Sequence, residues 1–220
     1  MATSTPPHPS PAPAQQTPST PIFEYPREYS FPPFFTRQPN LSTRHAQHVK
    51  WASLILSYCA FHRIFRLSLS PSHSHSTNTS DNQASPNPSE DLFHNRRLKK
   101  RLSPSDAREV LEHMRRDGRA DVVNSGGKGG GGGDGGGGDV WYVYWRTPEE
   151  WASLLETYVE DTAQKGAVLT LYEIVNAEGG RGSEFHGLDV EILQKALQVL
   201  VKRGKAQIFG HDDQLGVKFF

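Results

Sequence analysis

The residues that could do chemistry are few, and the clearest candidate is a glycine tract. Residues 126–138 are glycine except for Lys128 and Asp134, which invites comparison with a phosphate-binding loop. That loop requires Gly-x-x-x-x-Gly-Lys followed by Ser or Thr, placed between a strand and a helix. Here Gly129 follows Lys128, and a β-rich segment comes after the tract. The tract therefore does not indicate nucleotide binding.

The chain has ten histidines, but their spacing matches no metal-binding pattern. His73 and His75 lie in a polar loop, and the sequence has neither a pair of cysteines nor a His-Glu-x-x-His segment. His186 lies between Glu184 and Asp189, as a general base could. No nucleophile or electrophile accompanies it, so we expect His186 to order the turn into the next helix. We predict no enzyme activity, no catalytic residue, no metal and no cofactor.

Composition points to a protein without disulfides or membrane spans. Its 24 basic and 24 acidic residues balance, so the overall charge attracts neither phosphate nor anionic lipid. The single cysteine, Cys59, is expected to be a buried small apolar residue. No apolar run approaches the ~20 residues that span a bilayer, and the first residues do not match a signal peptide. We expect a soluble, cytosolic protein that reaches membranes only through a partner.

Two segments of the chain are nearly repeated. Trp51-Ala-Ser-Leu-Ile-Leu-Ser-Tyr58 matches Trp151-Ala-Ser-Leu-Leu-Glu-Thr-Tyr158, and the segment 102–120 aligns with 188–206. Each copy has apolar residues at helical spacing, followed by a β-rich hairpin. Three helices capped by a hairpin describe a winged helix. A small module repeated without a reactive centre indicates binding rather than catalysis.

The predicted fold class is α+β, with two tandem winged helices after an N-terminal tail and arm. Thr43, Ser103 and Thr147 are predicted to begin helices, the last two because proline follows them. Trp51, Leu54, Ile55, Tyr58, Phe61 and Phe65 are predicted to form the apolar stripe of the first helix. The predicted divisions are a disordered Pro-rich tail at 1–21, an extended arm at 22–42, a first winged helix at 43–147 with a disordered insert at 70–90 and a polyglycine wing at 126–138, and a second winged helix at 148–220.

The arm is rich in both aromatic residues and proline, a composition that argues against a helix. Two interpretations remain open. The aromatic side chains either pack on the arm's own domain, or Phe31-Pro-Pro-Phe-Phe35 docks in a partner's groove as an extended segment.

A basic run, Arg96-Arg-Leu-Lys-Lys-Arg101, also permits two interpretations. It is either a solvated patch or a contact for an acidic protein or lipid.

Winged helices often bind DNA through their third helix, so a nucleic-acid-binding transcription factor is the alternative function. The two third helices have nearly balanced charge, with four acids and three bases at 105–117 and two acids and three bases at 189–203. That balance argues against phosphate contacts.

Several ordered motifs resemble the vacuolar protein-sorting-associated protein 25 family, the small subunit of the endosomal sorting complex ESCRT-II. The resemblance extends over about 25–220 and rests on Phe31-Pro-Pro-Phe-Phe-Thr-Arg-Gln-Pro-Asn40, Thr43-Arg44, Trp145-Arg-Thr-Pro-Glu-Glu-Trp151, Leu169-Thr-Leu-Tyr-Glu173, Glu184-Phe-His-Gly-Leu-Asp189 and Gly216-Val-Lys-Phe-Phe220. The tail, the insert and the glycine tract depart from the family pattern, and Thr147 stands where the family usually has a second arginine.

The resemblance implies a non-catalytic adaptor that assembles with the two larger ESCRT-II subunits. It also implies recruitment of an ESCRT-III subunit, sorting of ubiquitinated cargo into multivesicular bodies, and a cytoplasmic protein recruited peripherally to endosomal membranes. By carry-over, the docking residues are Phe31, Pro32, Pro33, Phe34 and Phe35, and the ESCRT-III contact is Val168, Leu169 and Thr170. Substituting Pro33 and Phe34 by alanine is then expected to abolish assembly and leave the fold intact.

Overall fold

The structure is a computed structural model that describes residues 22–69, 88–123, 140–176, 184–210 and 215–220. The predicted tail at 1–21, the glycine tract at 126–138 and nearly all of the insert at 70–90 lie outside the described residues.

The first half of the chain forms a small helical bundle with a three-stranded sheet. Two 3₁₀ helices, Arg27–Ser30 and Pro32–Phe35, precede it. Its elements are α1 (Leu41–His62), β1 (Arg66–Ser68), α2 (Pro88–Phe93), β2 (His94–Asn95), β3 (Lys100–Arg101), α3 (Pro104–Arg116), β4 (Ala120–Val122) and β5 (Val140–Val143). The sheet has the order β1-β5-β4 with antiparallel neighbours. Strand β1 was not predicted, because three residues after a helix show too little alternation to be recognised.

The second half repeats this arrangement. Its elements are α4 (Pro148–Asp161), β6 (Val168–Thr170), α5 (Leu171–Asn176), α6 (Val190–Lys202), β7 (Ala206–Phe209) and β8 (Gly216–Phe219). The sheet order is β6-β8-β7, so in both halves the last strand lies between the other two. The α+β class and the tandem winged-helix topology are thereby confirmed, whereas the exact domain boundaries stay a prediction.

Each half is centred on one of the repeated tryptophans. Trp51 is fully buried in the first core, and Trp151 is buried in the second. Cys59 lies in the first core, as predicted, and burial raises the pKa of its thiol to about 12. The thiol is therefore protonated at neutral pH and acts as packing volume.

The helix starts follow local capping chemistry. Ser103 caps α3 and Asp189 caps α6, while Thr147 and Glu150 form a reciprocal capping box at α4. The prediction that Thr43 caps α1 was wrong. Asn40 is the cap, because its side-chain oxygen accepts hydrogen bonds from the amides of Ser42 and Thr43.

The two halves share a continuous interface. Phe65, Tyr142 and Tyr144 come from the first half but are buried in the second core. The predicted stripe on α1 is thus correct only as far as Tyr58. Phe61 is 42% exposed, and Phe65 lies beyond the end of the helix.

Polar contacts border this interface. The Arg66 guanidinium donates to the Asp189 carboxylate at 2.7 Å, and Arg63 donates to the carbonyl oxygens of Glu184 and His186 at 2.8 and 2.7 Å. The segment 184–187 forms a turn held by these bonds, in agreement with a structural role for this region. These contacts join residues that precede the short 144–147 connection to residues that follow it, so the two halves pack as one unit.

Candidate docking surface

The arm is folded onto the first core, as the first of the two interpretations proposed, and its two 3₁₀ helices differ from the predicted extended conformation. Its two 3₁₀ helices place proline at the start of the second, where a missing amide donor costs nothing. Proline disfavours the interior of an α-helix, but this restriction does not extend to a short 3₁₀ helix. A single 3₁₀ turn has only one or two internal hydrogen bonds, so proline disrupts it little.

Aromatic stacking fixes the second 3₁₀ helix to α1. The Phe34 ring lies parallel to the Trp51 indole with 4.4 Å between centroids, and Phe35 meets the same indole edge-on at 5.4 Å. The Trp51 indole N–H donates to the Phe34 carbonyl oxygen at 2.9 Å. Phe34 and Phe35 are both buried, so they belong to the core of the chain.

Amide side chains hold the backbone of the same turn. The Gln47 amide donates to the carbonyl oxygens of Phe34 and Thr36 at 2.8 and 2.9 Å. The Gln38 amide donates to those of Pro33 and Thr36 at 3.0 and 2.9 Å. Gln47 is itself buried, which makes these bonds harder to replace by water. These hydrogen bonds therefore fix the backbone conformation of the turn.

The outer side of the turn carries the exposed apolar residues. Phe31 is 60% exposed, and Pro32 and Pro33 are also exposed. Beside them runs an open groove of about 200 Å³ lined by Phe31, Pro33, Gln38, Thr43, Ala46 and Lys50. The Lys50 ammonium hydrogen-bonds the Glu28 carboxylate at 2.8 Å, which lowers the pKa of Glu28. An apolar ridge with a groove at its side is a surface that a partner protein could cover.

The five predicted docking residues thus divide into two groups. The structure brings all five into one turn, but Phe31, Pro32 and Pro33 face solvent while Phe34 and Phe35 face Trp51. The expectation that Phe34→Ala leaves the fold intact is contradicted by this burial. Composition alone could not separate the groups, because all five residues are apolar.

The three residues predicted for the ESCRT-III contact lie on β6, an edge strand of the second sheet. Val168 is 54% exposed and Thr170 is exposed, whereas Leu169 packs against the second core. The alternation follows from strand geometry, which points successive side chains to opposite faces. The Thr170 hydroxyl accepts from the Glu173 amide at 3.1 Å, so it also caps α5.

One exposed aromatic residue near β6 was not predicted from the sequence. Tyr172, two residues after the strand, is 75% exposed. Its exposure could have been inferred from its position outside the apolar spacing of a helix that is only six residues long. Val168 and Tyr172 are thus two exposed apolar side chains of the second half, whereas the arm packs on the first core.

The described residues contain no group of three or more His, Cys, Asp or Glu side chains placed to hold a metal ion. Within the same residues, no helix is long and apolar enough to cross a membrane.

Comparison with known proteins decides the family. A family model described as "ESCRT-II complex subunit" matches residues 28–189. The chain is 37% identical over 198 residues to human "Vacuolar protein-sorting-associated protein 25", which covers 90% of this chain and 98% of the human protein. The chain belongs to the vacuolar protein-sorting-associated protein 25 family. The family's Dictyostelium discoideum member is 38% identical over 204 residues, covering 92% of this chain and 98% of that protein.

Solved structures of the family share the fold. The "Crystal structure of subunit VPS25 of the endosomal trafficking complex ESCRT-II" aligns with a TM-score of 0.70 at 25% identity and covers 89% of this chain and 98% of that one. "The crystal structure of endosomal complex ESCRT-II (VPS22/VPS25/VPS36)" aligns with a TM-score of 0.69 at 26% identity and covers 88% and 98%. The sequence resemblance to the vacuolar protein-sorting-associated protein 25 family is confirmed.

Proposed function

We propose that the chain is a non-catalytic ESCRT-II subunit that joins two larger subunits to an ESCRT-III subunit. The arm docks on the larger subunits, and the second half recruits the ESCRT-III subunit so that ubiquitinated cargo is sorted into multivesicular bodies. The protein acts from the cytoplasm and reaches the endosomal membrane through the complex. The observation that carries the proposal is the exposed Phe31-Pro32-Pro33 ridge on a rigid base, in a chain whose structural relatives include a VPS22/VPS25/VPS36 complex.

A docking role suits the ridge because it is exposed and already ordered. Burying an exposed phenylalanine contributes about 1.5–3 kcal/mol. The hydrogen bonds from Gln38 and Gln47 hold the backbone in place before a partner arrives, so less conformational entropy is lost on binding.

The alternative, a nucleic-acid-binding winged helix, gains no support from the surface of α3. Arg37 contacts Asp106 and Glu109 at 3.5 and 2.5 Å. Arg115 lies 3.8 Å from Glu112 and 3.6 Å from Asp121. Carboxylates at these positions repel phosphate, and the segment 105–117 carries one more acidic than basic residue.

Combined substitution of Phe31→Ala and Pro33→Ala tests the docking role. We expect affinity for the two larger subunits to fall at least about 100-fold, because two exposed anchors are lost. Co-elution on a sizing column and calorimetric titration measure this. The thermal unfolding midpoint stays close to that of the wild type because both side chains are exposed.

Tyr172→Ala is the matched control, since it removes an exposed aromatic ring from the other half of the chain. It should leave assembly with the larger subunits unchanged. Normal co-elution of the arm variant would refute the docking role.

Val168→Asp tests the second contact. The strand position tolerates the change, because Val168 is exposed and lies opposite Lys218 in the register. We expect binding of the ESCRT-III subunit to weaken at least about tenfold while the ESCRT-II complex still assembles, since a charge is placed in an apolar contact.

Val190→Asp serves as its control. Val190 is about half exposed and begins α6, where an added carboxylate is favourable. The proposed contact would be wrong if both variants, or neither, lost the ESCRT-III subunit in a pull-down with purified proteins.

A further inference from the structure

The basic run of the sequence is folded into a tight hairpin, residues 94–101, which we call the basic hairpin. Its strands pair His94 with Arg101 and Asn95 with Lys100. The turn is closed by the Lys99 amide, which donates to the Arg96 carbonyl oxygen at 3.3 Å, and by the Leu98 amide, which donates to the Asn95 side-chain oxygen at 3.0 Å. Leu98 packs on the first core, and the five cations are exposed.

Acidic neighbours compensate only part of this charge. Arg96 lies 3.1 Å from Asp91, and Arg101 lies 3.6 Å from Glu90. For Arg97, Lys99 and Lys100, no ion pair is found within the described part of the chain. Three positive charges thus stand close together in a protein whose total charge is zero.

The turn of the basic hairpin holds Lys99 in an uncommon backbone conformation. Its φ is +51°, in the left-handed region where glycine or asparagine is more stable than lysine. A substitution at this position should therefore introduce a residue that tolerates the left-handed region, such as asparagine.

The basic hairpin is built onto the arm. Strand β3 packs against the second 3₁₀ helix, Pro32–Phe35. The Asn95 amide donates to the Tyr29 carbonyl oxygen at 2.7 Å, and the Tyr29 hydroxyl donates to the Asp91 carbonyl oxygen at 3.0 Å. Strand β3, which carries Lys100 and Arg101, is therefore the part of the hairpin that lies next to the turn bearing the exposed ridge.

We propose that the basic hairpin is the electrostatic part of the docking surface and that it faces an acidic surface on a larger ESCRT-II subunit. The inference rests on the proposed function and adds the chemistry of the partner: carboxylates beside the groove that receives Phe31 and Pro33. Contact with the arm favours a protein over a membrane as the occupant. Exposed charges at the edge of an interface mainly speed encounter, and their effect weakens with salt.

The test is the rate at which the full chain associates with the preassembled larger subunits, followed by stopped-flow fluorescence. The variant Arg97→Gln, Lys99→Asn, Lys100→Gln removes three charges and keeps a residue that tolerates the left-handed turn. At about 50 mM salt we expect association roughly tenfold slower than for the wild type, and at about 500 mM salt a difference within roughly twofold. Dissociation should change by less than about threefold.

The control variant Lys202→Gln, Arg203→Gln, Lys205→Gln removes the same charge from an exposed cluster in the second half. It should associate at the wild-type rate. Equal slowing of both variants, or no slowing of either, would overturn the inference while leaving the docking role of the arm intact.

Two further outcomes would also overturn the inference. Normal association of the hairpin variant, combined with lost binding to phosphatidylserine vesicles, would overturn the inference in favour of a membrane. If the wild type does not associate at any salt concentration, the proposed function fails and the inference fails with it.

Discussion

Trp51→Ala is expected to lower the free energy of unfolding by about 3–5 kcal/mol, most of the stability of a small domain. The indole is fully buried, and it stacks on Phe34 and donates a hydrogen bond to the Phe34 carbonyl oxygen. Its loss leaves a cavity beneath the arm and releases the turn that presents Phe31 and Pro33. Assembly with the larger subunits should weaken as well. Urea unfolding followed by circular dichroism measures the first effect, and calorimetric titration measures the second.

Trp51→Phe separates packing from hydrogen bonding. It keeps an aromatic ring under Phe34 but removes the indole N–H. The Gln47 amide still donates to the Phe34 carbonyl oxygen, so the loss from the missing bond should be about 1 kcal/mol, to which the smaller ring adds a packing term. If Trp51→Ala cost less than about 1 kcal/mol, the arm would not depend on the core in the way described.

Phe65→Ala is expected to destabilise the second core by about 3 kcal/mol or more, although Phe65 precedes β1 in the first half. Its ring lies 5.2 Å from Trp145 and 6.5 Å from Trp151, measured between centroids, and it is buried with the second core. Truncation should therefore promote unfolding of the second half. Hydrogen exchange read out by mass spectrometry would show loss of protection in α4 and α6.

Phe61→Ala is the matched control, since Phe61 is four residues earlier but 42% exposed on α1. It should cost about 1 kcal/mol or less, because only part of its area is lost. Equal destabilisation by the two substitutions would mean that Phe65 does not join the halves as proposed.

Much of the fold could be predicted because the information is local. Ser103-Pro104 and Thr147-Pro148 combine a cap with a first-turn proline, and both begin helices in the structure. The spacing of Trp51, Leu54, Ile55 and Tyr58 identified the buried face of α1. The repeat of this pattern around Trp151 predicted the duplicated topology.

The errors arose where the outcome depends on distant residues. Periodicity indicates that a residue is buried but does not say against what. Phe65 continues the stripe of α1 in the sequence, yet the left-handed Arg63 ends the helix and sends Phe65 into the other core. Which core buries Phe65 depends on the position of the second half, and the local sequence does not specify that position.

For the candidate site, sequence could locate the segment but not its orientation. The motif Phe31-Pro-Pro-Phe-Phe35 was identified as one docking unit, whereas the structure uses its last two residues as an anchor and exposes the first three. The division depends on Trp51 and Gln47, which meet the turn only after α1 has folded back along it.

The short connection between β5 and α4 has a mechanical consequence. A chain that hinged at 144–147 would have to pull Phe65, Tyr142 and Tyr144 out of an apolar environment. The arm and strand β6 are therefore held at a fixed distance and angle relative to each other. Under the proposed function, a protein bound at β6 would therefore keep a constant orientation relative to one bound at the arm.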